Sequence, residues 1–240
     1  MAPDPSESDN APQHRVTHCL FDLDGVIVDT TPLFFEANNQ ILREFEREMT
    51  WPMQVSMAGR SAFDAVHVLL SATQLLQRIS VAEYTALVDV HLDELLPKCQ
   101  LLPGVERLLK HLHAHQIPLA ICTGSRQYTF DLKMRHHGDL LPLFSHVVLA
   151  ADDPHVKHGK PAPDVFLTGM RRFERPPVDN ASVLVFEDAP NGVDAALAAG
   201  MPVVMTPDSR LEQCHRNRAT VCLDSLEQFR PESMGLPPYL

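Results

Sequence analysis

Four short segments of this chain carry residue types at spacings that could do chemistry. Asp22 and Asp24 stand one residue apart, directly after the apolar run Val16 to Phe21. Alternate residues of an extended chain project to the same side, so these two carboxylates can share one region of space. Gly25 follows and permits a tight turn there. Such a pair is common by itself, and its meaning depends on what else reaches the same place. Lys160 lies between Gly159 and Pro161 in a turn, where a lysine is either ordinarily solvated or a rigidly held ammonium able to bind a phosphoryl oxygen and restrain nearby carboxylates. Glu187 and Asp188 end the apolar run Val183 to Phe186. Acids at the end of a buried strand are costly unless compensated. A helix start can accept one, and a hard divalent cation, best Mg²⁺, can hold a cluster. Thr123-Gly124-Ser125 closes the run Pro118 to Cys122 and offers a hydroxyl and free N–H groups, which suits an anion as readily as it suits a plain loop.

Other chemistries find little support. Ser125 lacks the glycine-flanked elbow of a serine hydrolase, and neither a dinucleotide-binding glycine fingerprint nor a phosphate-binding P-loop occurs. His111, His113 and His115 suggest a metal, yet alternate residues on a helix diverge, and only His111 and His115 share a face.

The elements that must position these residues are legible from periodicity. Val16 to Phe21 reads as a buried strand that stops at a loop. Residues 31 to 98 read as three helices without a strand, over Pro32 to about Arg47, Ser61 to Gln77 and Val81 to Leu96. From Pro103 the pattern alternates: helix 104–115, strand 117–122, helix 126–136, strand 146–149, helix 163–172, strand 182–187, helix 190–199, then strands 202–205 and 219–223. Pro190 suits a first helical turn and Gly200 a helix end. The expected fold is α/β, a doubly wound parallel-sheet (Rossmann-like) core with an inserted all-helical cap domain. A loose tail covers residues 1–15, the core 16–30 and 99–240, and the cap 31–98. In open sheets of this type ligands bind beyond the carboxyl ends of the strands, where all four segments fall.

Composition bounds the class. With 240 residues, 45% apolar and 21% charged, the chain can bury a full core and leave room for an insert. A net charge of −11 argues against a nucleic-acid partner. It also means that a phosphorylated substrate needs local positive charge. Five scattered cysteines without a CxxC pair read as reduced thiols. No apolar stretch is long enough to span a membrane, and the N-terminus resembles neither a signal nor a transit peptide. The expectation is a soluble, cytoplasmic protein, a monomer, with a small phosphorylated metabolite as its partner.

Taken in order, Phe21-Asp22-Leu23-Asp24-Gly25-Val26, Ile121-Cys122-Thr123-Gly124-Ser125, Gly159-Lys160-Pro161 and Phe186-Glu187-Asp188-Ala189-Pro190-Asn191-Gly192 resemble the four signatures of the haloacid dehalogenase-like hydrolase superfamily, from about Val16 to the C-terminus. The resemblance implies a phosphatase. Asp22 would be the nucleophile that becomes an aspartyl-phosphate, and Asp24 would protonate the leaving oxygen and then activate water. Thr123 and Lys160 would hold the phosphoryl group. Asp22, Asp24 (through its backbone carbonyl) and Asp188 would bind Mg²⁺, with Glu187 as a further metal or supporting carboxylate. Burial and a neighbouring carboxylate are expected to favour the proton-bearing form of Asp24. Pseudouridine 5′-phosphate is the first substrate implied. Glycerol 3-phosphate, sugar phosphates and a sugar phosphomutase activity are the alternatives. Arg60, in Gly59-Arg60-Ser61 at the start of a cap helix, is a candidate to reach the substrate. Many capped relatives carry Glu after an Asp-Thr pair like Asp29-Thr30, where this chain has Thr31.

Overall fold

The computed structural model describes residues 16–57 and 62–239. The tail expected over residues 1–15, together with Arg60 and the expected helix start at Ser61, lies outside the described residues. Among the described residues six strands form one sheet, β1 (His18–Phe21), β2 (Leu119–Thr123), β3 (His146–Leu149), β4 (Val183–Glu187), β5 (Val203–Met205) and β6 (Val221–Cys222), in the order β3-β2-β1-β4-β5-β6. Every neighbouring pair is parallel. Helices α5 (Val105–Ala114), α6 (Gln127–Met134), α7 (Asp164–Arg171) and α8 (Pro190–Ala198) alternate with the strands, and a short α9 (Gln213–Arg216) precedes β6.

The central strands are continuous apolar runs because helices cover both faces. On one face Cys19, Phe21, Ile121 and Phe186 pack with Leu108, Leu109 and Leu112 of α5. On the other, Leu20, Cys122, Val148 and Val185 meet Val165 and Phe166 of α7 and Val193 of α8. Phe21 and Phe186 are opposite one another in the β1–β4 register, and their rings stack with centroids 4.4 Å apart. This fixes the two strand ends that carry Asp22 and Glu187.

Between β1 and α5 lies a helical segment with its own apolar core. α1 (Thr31–Glu44), α3 (Ala62–Ala72) and α4 (Val81–Leu95) bury Ile41, Leu42, Leu69, Leu70, Tyr84 and Leu92 against one another. α4 begins with a capping box in which Ser80 and Glu83 satisfy each other's backbone N–H groups. Sequence periodicity predicts three helices here, and the structure adds a fourth, α2 (Trp51–Met57). It spans seven residues, none fully buried, and its Met53 and Met57 pack only partly on the core of the segment, so it is too short to show a repeating apolar period. The expected helix to Gln77 stops at Ala72, and the backbone turns left-handed at Gln74. α9 is likewise unforeseen.

Candidate active site

The parallel register aligns the strand ends. The Asp22 N–H donates to the carbonyl of Phe186, so Asp22 and Glu187 leave the sheet side by side, with Thr123 at the end of the adjoining β2. Lys160 reaches this edge from the loop before α7. Its Nζ lies 2.6 Å from Asp22 Oδ1 and 2.5 Å from Glu187 Oε1, and 5.0 Å from the ring centre of Phe166. The second oxygen of Glu187 accepts the backbone N–H groups of Asp188 and Ala189. Glu187 is therefore fully engaged beneath the first turn of α8. A Cβ at Gly192 would sit 1.8 Å from Glu187 Oε1, so only glycine leaves room for that carboxylate.

Asp188 borders the same cleft. Gly25 has φ +71°, and a Cβ there would lie 2.1 Å from Asp188 Oδ2. The turn after Asp24 thus needs glycine both for its backbone and for the carboxylate beside it. Oxygens of Asp22, Glu187 and Asp188 all lie within 4.8 Å of one another. Burial, reinforced by Glu187 and Asp24 and opposed by Lys160, pushes Asp22 up to about 7. Burial, with Glu187 and Asp22, holds Asp188 well above the usual carboxylate range. Burial works against the charge of Lys160, but Asp22 and Glu187 outweigh it and raise the ammonium. Three carboxylates against one ammonium leave an excess of negative charge in a poorly solvated place. The all-oxygen donor set fits a hard divalent cation such as Mg²⁺.

Asp24 departs from its expectation. Its carboxylate accepts Thr30 Oγ1 at 2.8 Å and Ser125 Oγ at 3.2 Å. Lys133 Nζ lies 2.6 Å from one of its oxygens and 2.7 Å from the other. Burial would favour the proton, but the charge of Lys133 and the three donors outweigh it and hold Asp24 below its ordinary value. The resting structure therefore keeps Asp24 ionised. The deciding cation, Lys133, is missing from the sequence reading. Its signal is present nonetheless: between Leu132 and Met134, and three residues after Phe130, a lysine falls on the buried face of α6, where an unpaired charge does not stay.

The remaining expected residues come together as follows. Thr123 is fully buried, and its Oγ1 accepts the Ser125 N–H. Gly124 lines the cleft with open space beside it. Ser125 turns its hydroxyl to Asp24 and Lys133. His111 and His115 serve the fold, His111 Nε2 meeting the Pro237 carbonyl and His115 Nδ1 the His111 carbonyl. The cleft has a volume of about 570 Å³. Asp22, Asp24, Lys160, Glu187 and Asp188 border it, as do Phe34 of α1 and Trp51, Gln54 and Val55 of α2.

Residues 16–200 match the haloacid dehalogenase-like hydrolase family. The chain belongs to the haloacid dehalogenase-like hydrolases. Among relatives in this family, it is 43% identical over 224 residues to (DL)-glycerol-3-phosphatase 2 of Arabidopsis thaliana, covering 93% of each chain. It is 40% identical over 225 residues to a Drosophila melanogaster protein named "Probable pseudouridine-5'-phosphatase", covering 94% of this chain and 96% of that one. Among solved structures, a HAD-family hydrolase from Deinococcus radiodurans superposes with a TM-score of 0.74 at 23% identity, covering 94% of this chain and 99% of that one. β-Phosphoglucomutase from Clostridium difficile superposes with a TM-score of 0.71 at 23% identity, covering 91% and 95%. These two share the fold. As a haloacid dehalogenase-like hydrolase with phosphatase relatives along its whole length, the protein is a phosphoric monoester hydrolase.

Proposed function

We propose that this enzyme hydrolyses the phosphate monoester of a small, uncharged hydroxyl compound in two steps through Asp22, with pseudouridine 5′-phosphate as its first substrate. The observation that carries the reading is Lys160, clamped between Asp22 and Glu187 at the edge where Asp24, Asp188 and Thr123 also arrive. In the first step an oxygen of Asp22 attacks phosphorus, the bond from phosphorus to the leaving oxygen breaks, and Asp24 gives that oxygen a proton. In the second, water attacks the phosphoaspartate, its proton passes to Asp24, and the bond to Asp22 breaks, releasing phosphate. The ionised Asp24 of the resting structure is the form the second step uses. A dianionic phosphoryl group arriving beside it favours the protonated form that the first step needs.

Lys160 and the N–H of Gly124, both at the cleft, would neutralise and orient the phosphoryl oxygens, with Thr123 and Ser125 bracing that loop through their mutual hydrogen bond. Asp22, Asp188 and the backbone carbonyl of Asp24 would hold Mg²⁺, with Glu187 supporting the set through Lys160. The metal supplies charge neutralisation for the transferring group.

For the leaving group, Phe34, Trp51 and Val55 offer an apolar wall, and Gln54 and His215 offer hydrogen-bonding groups. The Trp51 Nε1 atom is buried and meets no acceptor among the described residues, a need that a ligand carbonyl or hydroxyl would fill. Arg218, which also lines the cleft, is already paired with Asp194, so a second anionic group on the substrate gains little there. A base that can stack and accept hydrogen bonds suits this wall and volume. Glycerol 3-phosphate is the second reading, favoured by the 43% identical relative. Here the helical segment, residues 31–98, acts as a cap that shields the reaction from water. Phosphate release from a panel of pseudouridine 5′-phosphate, glycerol 3-phosphate and hexose phosphates at fixed Mg²⁺ tests the reading. Pseudouridine 5′-phosphate should give the highest kcat/KM, and a rank below glycerol 3-phosphate overturns the substrate assignment.

A further inference from the structure

Lys133 lies outside the four segments that carry the phosphatase chemistry, yet it is 3% exposed and its ammonium is committed entirely to the site. Nζ contacts both oxygens of Asp24 at 2.6 and 2.7 Å and Ser125 Oγ at 2.8 Å. It also lies 5.7 Å from the ring centre of Phe34 on α1. Ser125 in turn donates to Asp24 through Oγ, and its backbone N–H holds Thr123 Oγ1. A lysine is removed from water at considerable cost, and here it is repaid only through these contacts. The neighbouring Leu132 packs into the apolar core of the helical segment, so α6 has little freedom to withdraw the ammonium.

We propose that Lys133 is a positioning residue that orients the Asp24 carboxylate for proton transfer and, through Ser125, ties it to the loop that receives the phosphoryl group. The inference rests on the two-step reading above. It predicts a specific kinetic signature, because Asp24 matters unequally to the two steps when the leaving group is a good one. With p-nitrophenyl phosphate the first step needs little protonation, whereas the attack of water on phosphoaspartate still needs a well-placed base.

The experiment is rapid-mixing kinetics of the full chain with p-nitrophenyl phosphate and Mg²⁺, with the phosphoenzyme counted by intact mass after acid quench. Lys133→Met should keep a burst of nitrophenolate near one per enzyme while steady-state kcat falls about 100-fold. Phosphoenzyme should then build up to most of the protein. Lys133→Arg, which keeps the charge, should recover at least a tenth of kcat. A lysine needed only for folding would instead lower burst amplitude and kcat together, without accumulated phosphoenzyme, and that result overturns the inference. Should Lys133→Met fold poorly, Asp24→Asn/Lys133→Met removes the stranded carboxylate. If Lys133 works through Asp24, this double variant should match Asp24→Asn in the rates of both steps to within threefold. A further tenfold loss in either rate overturns the inference. A wild-type enzyme that forms no phosphoenzyme would contradict the two-step reading itself. A working wild type beside an unaffected Lys133→Met would remove only the role of Lys133.

Discussion

The guanidinium of Arg210, in the loop after β5, lies over the indole of Trp51 on α2, its central carbon 3.4 Å from the ring centre. Asp208 accepts two parallel hydrogen bonds from one edge of the same guanidinium, through Nε and Nη2. A residue of the helical segment that borders the cleft is thereby held in place by a clamped arginine of the sheet domain.

If Trp51 forms the wall for the leaving group, Trp51→Ala should lower kcat/KM for pseudouridine 5′-phosphate by tenfold or more and for p-nitrophenyl phosphate far less. Arg210→Ala should have the same sign and a smaller size, about three- to tenfold, in line with a partly shielded cation–π contact. Equal losses on both substrates would remove the pair from the specificity wall.

Asp22→Asn should abolish turnover and covalent labelling while the fold survives, since it removes the nucleophile and keeps the shape. Asp24→Asn should form phosphoenzyme from p-nitrophenyl phosphate and release phosphate about 10²–10⁴-fold more slowly. Intact-mass measurement after quenching checks both.

Chelation should stop turnover and Mg²⁺ should restore it, and Ca²⁺ should inhibit by accepting a looser, larger ligand set. Gly25→Ala should raise the Mg²⁺ concentration needed for half activity about tenfold or more, because the new methyl occupies the place of Asp188 Oδ2. Titration of activity against Mg²⁺ reads the change directly.

Stability should depend on pH in a way that reports the carboxylate cluster. Asp22 moves from 3.8 up to about 7 on folding, and Asp188 moves in the same direction. Between these limits the folded chain binds more protons than the unfolded one. The contribution of the cluster to stability therefore falls as pH rises through this window and stays low above it. Asp24 is lowered on folding and contributes the opposite slope, its stabilisation being lost only as pH falls below the ordinary carboxylate value. In the absence of metal, Asp188→Asn should raise the melting temperature at pH 8 by about 3 °C and by much less at pH 5. Mg²⁺ should stabilise the wild type more at pH 8 than at pH 6 and the variant little at either, as calorimetry would show. A variant less stable than wild type in metal-free buffer at pH 8 would refute the charge accounting.

Much of this fold is legible in the chain because the strands are buried on both faces and end abruptly in polar residues. The central strands β1, β2 and β4 follow directly from the runs before Asp22, Gly124 and Asp188, and Pro190 and Gly200 mark α8, with Gly200 left-handed as a helix end requires. What stays hidden depends on contacts distant in sequence. α2, at seven residues, is too short to show a period. Lys133 shows in the sequence only as a lysine among apolar neighbours, and its partner Asp24, 109 positions earlier, is brought against it by the fold. The protonation expected for Asp24 fails for the same reason, since nearby acids are visible in the sequence and the compensating base is not.

Leu132 and Lys133 are consecutive, and they report to different parts of the molecule, the first to the apolar core of the helical segment and the second to the proton carrier. Anyone building chimeras, by grafting onto this sheet the substrate-selecting helices of a relative with another preference, inherits a junction inside one turn of α6. A graft that leaves the side chain of residue 132 without its partners in the transplanted helices would lose turnover even on the donor's own substrate. Swaps that carry α6 along with the helices should keep it.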